Sequence, residues 1–228
     1  MPENYEGLKS AIIEKCRVLE KMGYFIGTWG NISVRVSEGF IVTPSRISYD
    51  RIQPSDFVLV SSEGKVVAGH RLPSSETEIH RAVLNKKRDV GAIIHSHSPY
   101  ATSVACLQMA IPPFVEDLVQ IIGGQVNCTR YVPAGQHTRI SEEVANTIGE
   151  ENAVLLANHG VICCGRDLEE AFVASQILEK AAFMMLAAAA KGAVIPIPEE
   201  HVHSERHRFL YKYGTASDAP SKPDPSQP

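Results

Sequence analysis

The sequence has no C-x-x-C pair, and its five cysteines are an odd number. That argues against a disulfide framework and against a cysteine-built zinc knuckle. It also lacks any long basic run: 22 Lys and Arg are scattered among 26 Asp and Glu, for a formal net charge of -4. Nucleic acid and anionic membrane are therefore poor candidates for the main partner, whereas a small charged substrate is compatible. The N-terminus has no apolar stretch of signal-peptide type, and no segment approaches the roughly 20 uninterrupted apolar residues of a membrane span. The expectation is a soluble, cytoplasmic protein. No break in composition divides the 228 residues, so one domain with a sizeable core is expected. Cys163 and Cys164, adjacent in an apolar segment, read as buried small hydrophobes, and no internal repeat is visible.

What is present organises itself around His95-Ser96-His97, at the end of the apolar run Val90-Gly91-Ala92-Ile93-Ile94. Such a run reads as a buried strand, and residues i and i+2 of a strand share a face, so the two imidazoles can converge on one cation. Upstream, Leu8, Ile12, Leu19 and Met22 follow helical spacing, with Gly23 placed as a C-terminal cap. A loop at Gly27-Thr28-Trp29-Gly30-Asn31 leads into the alternating strand Ile32–Val36 and then Phe40–Thr43, stopped by Pro44-Ser45. Phe57–Val60 and Lys65–Ala68 flank Glu63-Gly64 as a second hairpin.

Ser75-Glu76-Thr77-Glu78 has capping-box form, which predicts a helix from Ser75 to about Lys87. Ser98-Pro99 opens another, through Gln108. Ala153–Ala157 reads as a buried strand, turned at Asn158-His159-Gly160 into Val161–Cys164. From Asp167 a long alanine-rich helix should run to about Lys191. Glu199–Tyr213 suits a short helix or docking arm, and residues 215–228, rich in Pro, Ser and Asp, are expected to be a disordered tail beyond a domain of residues 1–214.

Glu76 and His159 join His95 and His97 as candidate ligands, because each sits at the end of a regular element, where loops place functional side chains. Three imidazoles and one carboxylate suit zinc, a Lewis acid towards a carbonyl oxygen. Gly30-Asn31, Thr43-Pro44-Ser45 and Ser74-Ser75 supply amides and hydroxyls near turns, the last at an expected helix N-terminus that attracts anions. A phosphate anchor beside a metal would hold a phosphorylated carbonyl compound in one orientation. His201, His203 and His207 are expected to be solvent-exposed, since i and i+2 do not share a helix face, and Trp29 reads as a wall of its loop.

Gly27-Thr28-x-Gly30-Asn31-Ile32-Ser33, Thr43-Pro44-Ser45, Pro73-Ser74-Ser75-Glu76, His95-Ser96-His97-Ser98 and Asn158-His159-Gly160 occur in that order. As an ordered set over roughly residues 5–214, they resemble the class II aldolase/adducin family, most closely its L-fuculose-phosphate aldolase branch. The resemblance implies an α/β fold of a single domain, a central, mainly antiparallel sheet covered by helices in three layers. It also implies a homotetramer with active sites at subunit interfaces. By the same resemblance zinc rests on His95, His97 and His159, with Glu76 a fourth ligand that can leave and serve as base. Asn31, Thr43, Ser74 and Ser75, with Gly30 and Ser45 beside them, take the substrate phosphate.

The family's aldolases carry a tyrosine between the His-x-His strand and the Gly-Gly turn that handles the proton on the aldehyde-side oxygen. Here the comparable position is Glu116, with Asp117 beside it. A carboxylic acid there resembles the related methylthioribulose-phosphate dehydratases, which lack the Ser-Ser-Glu motif found here. Tyr213 resembles the C-terminal aldolase tyrosine that closes over the site. The resemblance thus implies a zinc-dependent aldolase that cleaves a ketose 1-phosphate, L-fuculose 1-phosphate or a related deoxy- or methylthio-pentulose 1-phosphate, to dihydroxyacetone phosphate and an aldehyde. The alternatives are a dehydratase, a pentulose-phosphate 4-epimerase or a phospho-oxo-acid decarboxylase on the same fold, and a non-catalytic adducin-like binding protein. Family epimerases carry Asp where Glu76 stands, and the adducin branch has lost the metal histidines.

Overall fold

Seven strands join in one sheet in a computed structural model that describes residues 5–213. They are β1 (Asn31–Val36), β2 (Gly39–Val42), β3 (Val58–Val60), β4 (Val66–Ala68), β5 (Ala92–Ser96), β6 (Ala153–Leu156) and β7 (Gly160–Gly165). The order across the sheet is β4-β3-β2-β1-β5-β7-β6, with every neighbouring pair antiparallel. The helices are α1 (Glu6–Lys21), α2 (Thr77–Lys86), α3 (Pro99–Cys106), α4 (Glu116–Ile122), α5 (His137–Thr147), α6 (Leu168–Ala189) and α7 (Glu199–Tyr211).

Strand alternation divides the sheet into two packed faces, giving a single domain of three layers. Ile32, Val34, Ala92 and Ile94 point to α1, while Val161 and Cys163 point to α3, α4 and α6. Phe40, Val42, Ile93, Ile162 and Cys164 face the layer of α2 and α5. Ile93 and Ile94, successive residues of β5, are both fully buried on opposite faces, each stabilising the fold by about 1.5–3 kcal/mol. Cys163 and Cys164 are buried in the same alternating way, and burial raises both thiols, Cys164 to about 12. All five cysteines are free.

The structure departs from the sequence reading in four places. The helix expected from Ser75 begins at Thr77, with Glu76 in the N-cap position and no side-chain cap. Ser74 instead closes the preceding turn, its carbonyl accepting from the Thr77 N–H at 3.1 Å and the Thr77 hydroxyl at 2.6 Å. At Asp167 the cap is real, its carboxylate accepting from the Glu170 N–H at 2.8 Å, but Glu170 reaches the Arg166 N–H rather than closing the box. Helices α4 and α5 lie in a stretch where no regular element was read. Lastly, α6 is long and apolar enough to cross a membrane by length and composition. It is nevertheless a core helix: Ala171, Ala174, Leu178, Ala181 and Ala182 are buried, and Glu179 splits the apolar run.

Glu179 also ties the layers together. Its two carboxylate oxygens each accept from a backbone N–H at the start of α3, Tyr100 and Ala101, both at 2.8 Å. They satisfy donors that a helix leaves unpaired in its first turn, so the turn after His97 is pinned from α6. The expected tail, residues 215–228, lies outside the described residues.

Candidate metal and phosphate site

Three turns and one strand end meet at the centre of the sheet. His95 is the fourth residue of β5 and His97 follows the strand end, their ring centroids 4.9 Å apart on one face as the i, i+2 spacing requires. His159 comes from the tight β6–β7 turn, where Leu156 pairs with Gly160 and Asn158 takes the left-handed conformation (φ 57°) that asparagine tolerates. Gly160 lets the chain pass close beneath the rings: a Cβ there would stand 2.8 Å from Cδ2 of His97 and 2.5 Å from the Ser96 carbonyl oxygen. Glu76 enters from the N-cap of α2.

The ring nitrogens that face inward are identified by their outer partners. His95 Nδ1 donates to the Val161 carbonyl at 3.0 Å, which leaves Nε2 with its lone pair towards the cluster. That Nε2 lies 3.0 Å from His97 Nε2 and 3.1 Å from Glu76 Oε2, and His159 Nε2 lies 3.1 Å from Glu76 Oε1. The ligand atoms of the three histidines fall within 4.8 Å of one another.

Charge follows from burial and neighbours. The Glu76 carboxyl sits well below the usual carboxylate range: burial works against this but is outweighed by His95, His159 and the Asn31 amide. Burial holds His95 below the ordinary imidazole value, and burial with the neighbouring histidines pushes His97 down to about 3. A carboxylate beside imidazoles whose ring nitrogens face inward is the donor set of a divalent cation, and the bare Nε2 of His95 gives it a site for one.

Glu76, His97 and His159 line a cavity of about 490 Å³, with His95 buried behind them. Of the residues read as phosphate-binding, Gly30, Asn31, Ser45, Ser74 and Ser75 line it. Backbone hydrogen bonds from Ser45 N to Leu72 O (2.9 Å) and from Ser74 N to Thr43 O (3.1 Å) bind the 43–46 and 72–75 segments side by side. Gly30 has φ 114°, and a Cβ there would fall within 2.6 Å of the Phe25 ring. Thr43 is placed differently from the expectation. It is buried, it does not line the cavity, and its hydroxyl accepts from the Ile32 N–H at 3.2 Å, a structural bond. Trp29 forms a wall as expected, its ring 5.6 Å from that of His97.

Glu116 and Tyr213 are not among the residues that line this cavity in the single chain. Glu116 opens α4 and is exposed, whereas Asp117 is committed to an ion pair with Lys180 of α6. Tyr213 is exposed and rests on Phe209 at 5.6 Å. His201, His203 and His207 are exposed on α7, away from the metal cluster. Three contributions escaped the sequence reading. Arg46 lines the cavity in a left-handed conformation (φ 61°), the segment from Tyr131 to His137 forms the opposite wall, and His80 lies buried behind Asn31. Only His80 left a signal, its i+4 spacing from Glu76.

Residues 10–186 match the family described as the class II aldolase and adducin N-terminal domain. The chain is 32% identical over 225 residues to the 5-methylthioribulose-1-phosphate/5-deoxyribulose-1-phosphate aldolase of Rhodospirillum rubrum, covering 99% of each chain. It is 33% identical to the L-fuculose phosphate aldolase of Haemophilus influenzae, over 85% of this chain and 89% of that one. A solved structure of an L-fuculose 1-phosphate aldolase superposes with a TM-score of 0.85 at 31% identity, over 90% of this chain and 97% of the other.

Proposed function

Because the chain belongs to the class II aldolase and adducin family, we propose that it is a zinc-dependent lyase. It cleaves a 5-deoxy- or 5-methylthio-pentulose 1-phosphate, or the related L-fuculose 1-phosphate, into dihydroxyacetone phosphate and an aldehyde. The observation that carries this reading is the juxtaposition of Glu76, His97 and His159 with the Ser74-Ser75 turn in one cavity, with His95 buried against the same cluster. The relative matched over 99% of both chains supports the pentulose substrates. We further propose a cytoplasmic homotetramer whose catalytic domain spans residues 1–214.

His95, His97, His159 and Glu76 would hold the ion, which when bound would supply Lewis-acid polarisation of the substrate carbonyl. Gly30, Asn31, Ser45, Ser74 and Ser75 seat the phosphate and fix the carbon chain between turn and ion. In the direction of bond formation Glu76, held ionised by its neighbours, would swing away from the ligand histidines, regain its basicity and take the proton from C3 of dihydroxyacetone phosphate. The electron pair left on C3 forms the bond to the aldehyde carbon, and a carboxylic acid gives its proton to the new O4 hydroxyl. Glu116 of a neighbouring subunit is that acid, with Tyr213 closing over the aldehyde, in keeping with their exposure and with a cavity lining in their own chain that does not include them. Cleavage is the reverse, so each proton lost at O4 is matched by one gained at C3.

The test is release of dihydroxyacetone phosphate from L-fuculose, L-rhamnulose, 5-deoxyribulose and 5-methylthioribulose 1-phosphates, before and after chelation and zinc restoration. Metal-dependent release supports the aldolase, and the preferred member names the aldehyde. Loss of substrate without triose phosphate overturns it in favour of dehydration or epimerisation.

A further inference from the structure

His80 is fully buried one helical turn after Glu76, yet it belongs neither to the metal cluster nor to the cavity lining. Its ring stands between two residues of β1 that share a face, Asn31 and Ser33. Nδ1 is 2.6 Å from Ser33 Oγ, and Nε2 is 2.5 Å from Asn31 Oδ1. Asn31 in turn brings Nδ2 to 2.7 Å from Glu76 Oε2. The register puts Asn31 directly opposite His95 across the β1–β5 ladder, so this row of polar groups runs behind the metal ligands.

The protons in the row are fixed from one end. Asn31 donates from Nδ2 to Glu76 Oε2 at 2.7 Å, so its NH2 is turned to the carboxylate. The amide oxygen then faces His80 and needs a donor, which places the ring proton on Nε2. Nδ1 is left bare and accepts the Ser33 hydroxyl proton. Burial pushes His80 down to about 3, so the ring is neutral and carries a single proton.

The geometry points to His80 as a positioning residue for the base: its Nε2–H fixes which way the Asn31 amide faces, and so aims a donor at Oε2 of Glu76. The assignment rests on the role given to Glu76 above. Without that N–H the Asn31 amide is free to turn over, which would set its oxygen against the carboxylate. Two acceptors at that separation repel, and Glu76 would be displaced from its station between His95 and His159.

Two substitutions separate this role from simple space-filling. In His80→Gln the side-chain N–H falls near Nε2 and keeps the donor to Asn31. In His80→Asn the polar atoms fall near Nδ1, keeping the contact to Ser33 and losing that donor. His80→Asn should lower kcat about 10- to 100-fold with little change in KM, and weaken zinc binding by a similar factor. His80→Gln should restore both to near the wild-type values. Equal losses in the two variants would mean that His80 only fills space, and the assignment would fall. Nitrogen-15 NMR of the wild-type imidazoles, with the His80 signals identified by their disappearance in His80→Gln, gives a readout independent of substitution. A protonated Nε2 with a bare Nδ1 is expected, and a proton on Nδ1 overturns the row. Should no ketose phosphate be cleaved, the function proposed above fails, and calorimetric zinc affinity together with the NMR tautomer still decides the case of His80.

Discussion

Gly160 lies directly beneath His97, so close that a methyl group on its Cα would stand 2.8 Å from the imidazole and 3.2 Å from Cε1 of His95. Both rings must move to admit a side chain. Gly160→Ala should therefore weaken zinc binding about 10- to 100-fold and destabilise the fold by about 1–3 kcal/mol. Calorimetric zinc titration beside a thermal melt checks both, and unchanged affinity would mean that the backbone at Gly160 does not set the rings.

Glu76→Gln keeps the shape and one oxygen but removes the basic site. Zinc should remain largely bound by the three histidines, while turnover falls about 100- to 10,000-fold. Metal content and triose phosphate release, measured on the same preparation, separate the two. Near-normal turnover would remove Glu76 from the mechanism.

Glu116→Gln should leave the first half-reaction intact and impair the second. Exchange of the C3 proton of dihydroxyacetone phosphate with solvent is expected within about threefold of wild type, with cleavage slowed about 100-fold or more. Equal loss of both activities would place Glu116 in support of the structure.

Arg46 combines two opposing effects. Its φ of 61° is in the left-handed region, which for a side chain other than glycine costs of order 1 kcal/mol or more, and it lines the cavity next to Ser45. Arg46→Gly should then raise stability by about 1 kcal/mol while raising KM for the sugar phosphate about tenfold through loss of a guanidinium partner. A thermal melt and a KM measurement read the two effects separately, and an unchanged KM would confine Arg46 to a structural role.

Acid should destabilise the metal-free protein through His80. The folded ring has its pKa near 3 because it is buried, against an ordinary value of 6.5. Between these values the unfolded chain binds a proton that the folded chain refuses, so stability falls as pH drops from 6.5 towards 3. At pH 4.5 the loss from this group is about 2–3 kcal/mol. Urea melts at pH 7 and 4.5 should show His80→Gln losing less stability than wild type by about that amount; parallel losses would contradict the assignment.

Much of the site was legible because its chemistry is carried by short local patterns. His95-x-His97 needs only the alternation of a strand, and Asn158-His159-Gly160 announces a turn by its residue types. What was hidden depended on tertiary placement. Ser75 has the form of a cap, but the chain spends an extra turn on Ser74 and Thr77 and leaves Glu76 at the helix start, pointing at histidines 19 residues or more downstream. Thr43 sits in a phosphate-like motif, yet it is buried off the cavity lining, where its hydroxyl accepts from the Ile32 N–H. Arg46 and Tyr131 have no local pattern at all and become cavity residues only because two distant loops meet. Helix α5 was missed because its amphipathic stretch carries only Ile140 and Val144 as apolar markers.

The bond between Glu179 and the start of α3 bears on how the protein is made. His95 and His97 leave the ribosome some 80 residues before the carboxylate that secures the turn beside them, and His159 follows only 20 residues ahead of it. A nascent chain halted before α6 already carries all seven strands and all three histidines, but the backbone donors at the start of α3 still lack the Glu179 carboxylate. The turn beside His97 is thus secured only once the long alanine-rich helix has emerged, although every strand it joins is made earlier.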